Sequence, residues 1–226
     1  LEAIAKEKAG IIKPEIPVVI GETGNNTEVR QIFAQKAKDM HSPILFADEL
    51  CHPKVQTQLK GRCQEKNTQT ILTALDFLRG IDTQKTFSKT LNISNVDISN
   101  GFLHVCDLTG LMGRWQTLSD KPLTICDTGH NVGGWEYLSK QLEETPGRLH
   151  VVIGMVGDKD VRKVVNMLPK NAKYFFTQAS VKRAMPATEF AAIAKEAGLE
   201  GNIYSNVAEA YKEAKQTASE NDTIFI

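Results

Sequence analysis

The strongest constraint on the fold is a regular alternation of apolar, strand-like segments with amphipathic, helix-like segments over the second half of the chain. Such an alternation is typical of βαβ units, whose right-handed crossovers bring strands side by side in parallel. It predicts an α/β fold with a mostly parallel, doubly wound sheet. We expect strands near 114–118, 123–127, 149–153, 173–177, 202–204 and 222–226, and helices near 131–143, 159–168, 187–197 and 206–219.

The first half of the chain contains short apolar segments and stretches in which apolar residues recur at helical spacing. Residues 81–110 follow and are richer in Ser, Thr, Asn and Asp, which predicts short helical pieces and a connection. We therefore place a domain boundary near residue 110, between domains 1–110 and 111–226. Within the first domain we expect strands at 16–20 and 44–47 and helices over 27–40 and about 65–78, the last ending at Gly80.

The composition and charge exclude several classes of protein. The chain has 226 residues, of which 41% are hydrophobic and 24% are charged, as in folded globular proteins. Its 27 Lys and Arg balance 27 Asp and Glu, which argues against nucleic acid or a membrane surface as a partner. No apolar run approaches the roughly 20 residues that cross a bilayer, and the N-terminus lacks a secretory signal. We therefore expect a cytoplasmic protein and a monomer.

The four cysteines, Cys51, Cys63, Cys106 and Cys126, are widely separated and form no C-x-x-C pair. No two histidines stand at zinc-ligand spacing either, so the nearest approach to a ligand pair is Cys51 with His52. The pattern favours reduced structural thiols in a cytoplasmic protein.

A candidate anion site follows the predicted strand at 123–127. The strand ends in Asp127, two small residues follow, and His130 and Asn131 open the next helix. At a helix N-terminus the free backbone N–H groups and the helix dipole favour anions such as phosphate. An ordinary strand-to-helix turn with a polar cap has the same pattern, so both interpretations stay open for this segment.

Two further segments of the second half could take part in such a site. Arg114 carries a guanidinium that suits phosphate, although a surface arginine in a turn is the plainer interpretation. Residues 154–160 join a strand to a helix through two glycines, which permit close backbone approach, and Asp158 or Asp160 could cap that helix. This segment lacks the G-x-G-x-x-G dinucleotide motif, and it is either a ligand-facing loop or a capped, packed turn.

The first half of the chain also contains polar residues that could take part in a ligand site. Gln64 and Asn67 open a predicted helix, where their amides could cap it or bind the edge of a base. Lys8 lies where a helix ends before a turn, a position that favours a cation on electrostatic grounds alone. The sequence has no G-x-x-x-x-G-K-[ST] phosphate loop, so a nucleotide site would need a further segment.

The first half carries two motifs that occur together in a known family. One is Ile4-Ala-Lys-Glu-Lys-Ala-Gly-Ile-Ile-Lys-Pro14, which is followed by Ile16-Pro-Val-Val-Ile-Gly21. The other is Leu59-Lys-Gly-Arg-Cys-Gln-Glu-Lys-Asn67, which matches L-x-G-x-H-Q-x-x-N with Cys63 in the place of His.

The second half continues the series. Gly113-Arg-Trp-Gln116 matches P-G-R-x-Q with Met112 for Pro, and Asp127-Thr-Gly-His-Asn131 matches D-x-A-H-N with Gly129 for Ala. In this order the motifs resemble folylpolyglutamate synthase, in the dihydrofolate synthase-related branch of the Mur ligase superfamily. Two further blocks of that family are matched by 154–160 and 183–187.

The resemblance implies an ATP-dependent ligase that adds L-glutamate to the γ-carboxyl of a folate through an acyl phosphate, with ATP and Mg²⁺ as cofactors. The implied folate is tetrahydrofolate, and dihydropteroate is a second candidate. Residues 1–110 would be the end of a Mur-ligase-type ATPase domain with a linker, and 111–226 a Rossmann-like glutamate-ligase domain. The phosphate loop would precede Leu1, so we expect a fragment that is inactive by itself.

The resemblance also implies roles for residues of the second domain. Arg114 matches the arginine that contacts an ATP phosphate, and Asp127 matches an acidic residue of the nucleotide site. His130 would lie near the γ-phosphate, with Asn131 beside it in the ATP site. Arg114 and His130 are thus implied as catalytic residues, together with Lys8 of the first domain.

Three residues of the first domain are implied in the same way. Lys8 matches a lysine that these enzymes carbamylate, and the resulting anion could help to hold magnesium. Asn67 matches a contact to adenine, with Gln64 as a second candidate beside it. Two other interpretations remain open, namely a Mur-type peptidoglycan amino-acid ligase and a non-catalytic Rossmann-like binding module.

Overall fold

The chain folds into two compact units. In the computed structural model, the first unit consists of Leu1–Gln58 and Gln64–Leu108, and the second of Leu59–Cys63 and Thr109–Ile226. The structure describes residues 1–24, 26–80, 91–157 and 160–226. Residues 81–90 of the predicted connection, and Asp158 and Lys159 of the predicted loop, lie outside the described residues.

The first half of the chain contains a small parallel sheet and several helices. Its two strands pair in parallel, with Val18 opposite Ile44. Helix termini are capped by side chains, as where Asn26 accepts the backbone N–H of Val29. The predicted strands and helices of this half are confirmed. The elements are α1 (Glu2–Ala9), β1 (Val18–Ile20), α2 (Thr27–Asp39), β2 (Ile44–Phe46), a 3₁₀ turn (Ala47–Glu49), α3 (Cys63–Leu78), α4 (Asn95–Leu103) and α5 (Val105–Thr109).

The second unit is built on a six-stranded sheet in the order β3-β4-β8-β5-β6-β7. Strand β3 is antiparallel to β4, and every other pairing is parallel. The predicted alternation is confirmed element by element. The elements are β3 (Gln116–Asp120), β4 (Leu123–Cys126), α6 (Val132–Leu142), β5 (Leu149–Ile153), α7 (Val161–Met167), β6 (Ala172–Phe176), α8 (Ala187–Glu196), β7 (Gly201–Ile203), α9 (Val207–Thr217) and β8 (Thr223–Phe225).

Helices cover both faces of this sheet, because alternate residues of each buried strand point to opposite sides. Val151 and Ile153 of β5 pack in a cluster with side chains of α6, α7 and α8. Val152, between them, packs in a second cluster with Ala210 and Ala214 of α9. The doubly wound arrangement is therefore confirmed, and it leaves the carboxyl ends of the parallel strands open for loops.

The described residues contain neither a metal cluster nor a membrane span. Cys51 and the other three cysteines are free thiols. No three His, Cys, Asp or Glu side chains in these parts of the chain could hold a metal ion together, so the pair Cys51–His52 gains no third ligand. None of the described helices is both long enough and apolar enough to cross a bilayer.

Asp222 ties the start of β8 to the start of β5. Its carboxylate accepts the backbone N–H groups of Ser219 at 2.7 Å and Arg148 at 2.9 Å. The Nε2 atom of the buried His150 lies 3.5 Å from the same carboxylate. The backbone hydrogen bonds, with Ser219 first and Arg148 second, lower the pKa of Asp222 to about 2 from the usual 3.8.

We expect the second unit to lose stability as the pH falls from about 4 to about 2. The folded pKa of Asp222 lies below the unfolded one, so its stabilisation is present above pH 3.8 and disappears as the pH falls through about 2. Urea unfolding of the wild type and of Asp222→Asn at pH 7 and pH 2.5 measures how much free energy of unfolding each protein loses in acid. Asp222→Asn should lower the free energy of unfolding at pH 7 by about 1–2 kcal/mol and reduce its loss in acid. The exposed Asp120 supplies the control Asp120→Asn, and equal acid sensitivity in all three proteins would contradict the assignment.

Candidate functional site

Strand β4 delivers Asp127 to the carboxyl end of the sheet, where its side chain joins two loops. The Oδ2 atom accepts the backbone N–H of Trp115 at 2.7 Å, and the Oδ1 atom accepts that of Gly129 at 2.8 Å. Burial raises the pKa of this carboxyl, while the two backbone hydrogen bonds and Arg114 act in the opposite direction. Asp127 therefore fixes the backbone on both sides of the candidate site.

The first of these loops is a strained turn at Gly113 and Trp115. Both residues have left-handed backbones, with φ of 70° and 49°. A Cβ atom on Gly113 would lie 2.6 Å from the Cγ2 atom of Thr128, so the turn needs glycine there. Trp115 adopts a conformation that side chains disfavour, and it is held by Asp127 and by ring packing on Phe225 at 6.2 Å.

Arg114 stands between these two left-handed residues and its side chain is exposed. Its Nη1 atom donates to the Oγ1 atom of Thr128 at 2.9 Å, and the backbone N–H of Thr128 donates to the carbonyl of Gly113 at 2.9 Å. A guanidinium has five N–H donors, so most of them are left for a ligand such as phosphate.

The second loop leads from Asp127 into helix α6. Asn131 caps this helix by accepting the backbone N–H of Gly134 at 2.8 Å. His130 is exposed, and its Nδ1 atom lies 3.1 Å from the carbonyl oxygen of Thr128. The buried Trp135 supports the loop from below, because its Nε1 atom donates to the carbonyl of Gly129 at 3.2 Å.

The structure bears on the two interpretations of residues 127–131, namely an anion site and an ordinary capped turn. The turn is capped, by Asn131, as the plainer interpretation predicted. It also carries the exposed imidazole of His130 next to a helix N-terminus, and its Thr128 binds the exposed Arg114 of the first loop, a combination that suits an anion. A capped turn and an anion site are thus compatible in this loop.

The loop after β5 contains a close contact of backbones. A Cβ atom on Gly154 would lie 2.5 Å from the carbonyl oxygen of Thr177, which explains the glycine. Asp160 caps α7 by accepting the backbone N–H of Lys163 at 3.3 Å, so that predicted cap is confirmed. The predicted role of Asp158 concerns a residue outside the described part of the chain.

The candidate residues of the first unit lie in two places. Asn67 donates from Nδ2 to the Oε1 atom of the buried Gln64 at 3.0 Å, within the first two turns of α3. Because α3 begins at Cys63, neither amide is at the N-cap position, and the capping interpretation is wrong. Lys8 is exposed in the last turn of α1.

The structure therefore brings together four of the predicted site residues within the second unit. These are Arg114, Asp127, His130 and Asn131. Sequence reasoning missed Thr128, which contacts Arg114, and the backbone N–H of Trp115. The motif gives no signal for Thr128, because it occupies the unspecified position of D-x-A-H-N.

The described residues do not fit a magnesium site of their own. No group of three carboxylate, His or Cys side chains is assembled among them. Both oxygens of Asp127 accept backbone N–H groups, and Lys8 stands exposed at a helix end.

Comparisons with known proteins agree on one family. Residues 113–226 match the family model described as Mur ligase, glutamate ligase domain. The chain is 26% identical over 239 residues to the dihydrofolate synthase/folylpolyglutamate synthase of Buchnera aphidicola, covering 99% of this chain and 53% of that protein.

Solved structures show the same fold. The structure of Escherichia coli FolC in complex with DHPP and ADP has a TM-score of 0.72 and 24% identity, over 99% of this chain and 53% of that one. The bifunctional folylpolyglutamate synthase/dihydrofolate synthase of Yersinia pestis complexed with AMPPNP and Mn has a TM-score of 0.75 and 22% identity, over 99% and 53%. The chain thus spans about half the length of the relatives it matches.

Proposed function

The chain belongs to the Mur ligase family through its glutamate ligase domain, and on this premise we propose that it is part of an ATP-dependent ligase adding L-glutamate to the γ-carboxyl of a folate. Homology to the folylpolyglutamate synthases, which the sequence motifs indicated, is confirmed. The observation that carries the proposal is the exposed Arg114, which Thr128 holds against the loop that leads into α6, inside the matched region.

The proposed reaction has two steps. A folate γ-carboxylate oxygen attacks the γ-phosphorus of ATP, which gives an acyl phosphate and releases ADP. The amine of L-glutamate then attacks the acyl carbon, the C–O bond to phosphate breaks, and an amide forms with loss of a proton. A fixed cation beside the transferred group stabilises the negative charge as it moves, which is the role we assign to Arg114.

The other residues of the second unit support that role in different ways. His130 is proposed to bind near the γ-phosphate, and Asn131 fixes the start of α6 beneath it. Asp127 is proposed to act on the nucleotide site indirectly, because both of its oxygens already accept backbone N–H groups.

The roles of the first unit are proposed from the family resemblance. Asn67 and its partner Gln64 are proposed to face adenine, and Lys8 to carry the carbamate. The first unit would then be the end of an ATPase domain. Tetrahydrofolate is the proposed acceptor, with dihydropteroate as a second one. The structure of the relative from Escherichia coli contains DHPP and ADP, which supports a nucleotide as one ligand.

A substrate panel on the intact enzyme tests the proposal. The enzyme would receive ATP, magnesium and L-glutamate together with tetrahydrofolate, dihydropteroate or a muramyl precursor. We expect a glutamylated folate and ADP in equal amounts. Turnover of the muramyl precursor without turnover of either pterin would assign the chain to the peptidoglycan branch instead. Binding of ATP without any ligation would assign it to a non-catalytic binding module.

A further inference from the structure

The hydroxyl of Thr128 lies at the centre of the hydrogen bonds around Arg114. Its Oγ1 atom accepts from the Nη1 atom of Arg114 at 2.9 Å and donates to the carbonyl of Gly113 at 3.2 Å. One hydroxyl supplies one donor and two acceptor lone pairs, so both bonds form at once. Thr128 itself is exposed, and nothing in the packing of the core requires a hydroxyl there.

We propose that Thr128 is a positioning residue for Arg114, which it holds in the orientation that receives a phosphate group. This inference rests on the proposed function and adds a residue to it. An exposed arginine samples many rotamers, and ordering it on binding opposes affinity. A hydrogen bond that already restricts the guanidinium in the free protein reduces the conformational entropy that is lost when a phosphate binds.

The backbone around Arg114 is fixed independently of this side chain. Asp127 accepts the N–H of Trp115 immediately after Arg114, and the N–H of Thr128 donates to Gly113 immediately before it. The remaining freedom of Arg114 therefore lies in its side chain. The hydrogen bond to Thr128 restrains the guanidinium itself, so removing the hydroxyl of Thr128 should free the head group and leave the turn in place.

Nitrogen NMR of the Arg114 guanidinium in the 226-residue chain tests the inference directly. Thr128→Val keeps the shape and removes the hydroxyl, whereas Thr128→Ser keeps the hydroxyl. We expect rotation about the Cζ–Nε bond of Arg114 to become about two- to tenfold faster with valine and to stay unchanged with serine. Thr117→Val, at an exposed threonine of β3, is the matched control and should change nothing. If valine disturbs the backbone spectrum, Thr128→Ala takes its place.

Two outcomes of this experiment would overturn the inference. One is an unchanged rotation rate in both Thr128→Val and Thr128→Ala. The other is an increase with serine as large as with valine, because the methyl group would then be responsible instead of the hydroxyl.

Kinetics of the intact enzyme give a second, separate readout. Thr128→Val should raise the KM for ATP about two- to tenfold, with a smaller change in kcat, and Thr128→Ser should restore it. An unchanged KM for ATP in Thr128→Val would contradict the positioning role. Absence of folate-dependent turnover in the wild type would instead contradict the proposed function, and the NMR result would still decide whether Thr128 holds Arg114.

Discussion

Replacing Arg114 with alanine is expected to lower folate-dependent turnover of the intact enzyme by at least about tenfold, or about 1.4 kcal/mol of transition-state stabilisation. The guanidinium is exposed and held by Thr128 against the loop that leads into α6, and in the proposed reaction it stabilises the charge of the transferring phosphoryl group. His130→Ala should cause a loss of at least the same size, because its exposed imidazole contacts the carbonyl of Thr128, the residue whose hydroxyl binds Arg114. Steady-state kinetics with saturating glutamate measure both.

A matched control separates this effect from a general loss of positive charge. Arg148 is also exposed, but it precedes β5 and so lies at the amino end of the sheet, away from the loops that follow β4. Arg148→Ala should retain nearly full activity. Near-normal rates in both Arg114→Ala and His130→Ala would remove the site assignment.

Asp127→Ala is expected to destabilise the second unit by about 2–4 kcal/mol. The change leaves the backbone N–H groups of Trp115 and Gly129 without their acceptor. It also removes the contact that holds Trp115 in a left-handed conformation, with φ of 49°. Urea unfolding at pH 7, followed by tryptophan fluorescence, measures the free energy directly.

Asp127→Asn and Asp120→Ala provide the comparisons. Asparagine keeps one acceptor oxygen and turns an NH₂ group towards the other backbone N–H. The free energy of unfolding of Asp127→Asn should therefore lie between those of the wild type and of Asp127→Ala. Asp120 is exposed on β3, and its replacement should change stability by less than about 0.5 kcal/mol. A loss below about 1 kcal/mol in Asp127→Ala would show that Asp127 does not fix these loops.

The elements of the second unit could be predicted from the sequence because burial imposes a strict pattern on them. Strand β5 has apolar residues facing both faces of the sheet, and a helix follows each of the strands β4, β5, β6 and β7. The position of β8 could not be predicted, because it pairs with β4 and β5, which precede it by more than 70 residues. Sequence periodicity does not encode which strands become neighbours.

For the candidate site, the sequence predicts residues that the structure places near one another, but it does not predict their contacts. Charge and position at strand and helix ends indicate Arg114, His130 and Asn131 as candidates. The family resemblance implies that Asp127 belongs to the nucleotide site, and the structure adds that its oxygens accept backbone N–H groups on two loops. That contact depends on the left-handed turn at Trp115, which local propensity does not predict for tryptophan.

In the first unit, too, the sequence predicts an element but not the contacts of its side chains. The sequence predicts that Gln64 and Asn67 lie at the beginning of a helix, which is confirmed, and it leaves capping open as one of their roles. The helix begins at Cys63, which puts both amides inside it, where they bind each other. A shift of a few residues in a helix boundary, which sequence patterns do not fix, was enough to change the interpretation.

Transfer of an oxygen isotope tests most directly whether the intact enzyme forms an acyl phosphate on a folate. The intact enzyme would receive a folate labelled with ¹⁸O in its γ-carboxyl, together with ATP, magnesium and L-glutamate. Because the acyl phosphate links a carboxylate oxygen to phosphorus, each amide formed should leave one ¹⁸O atom in the inorganic phosphate. Formation of the glutamyl amide with unlabelled phosphate, or phosphate release without any folate amide, would contradict an acyl-phosphate ligase acting on folates.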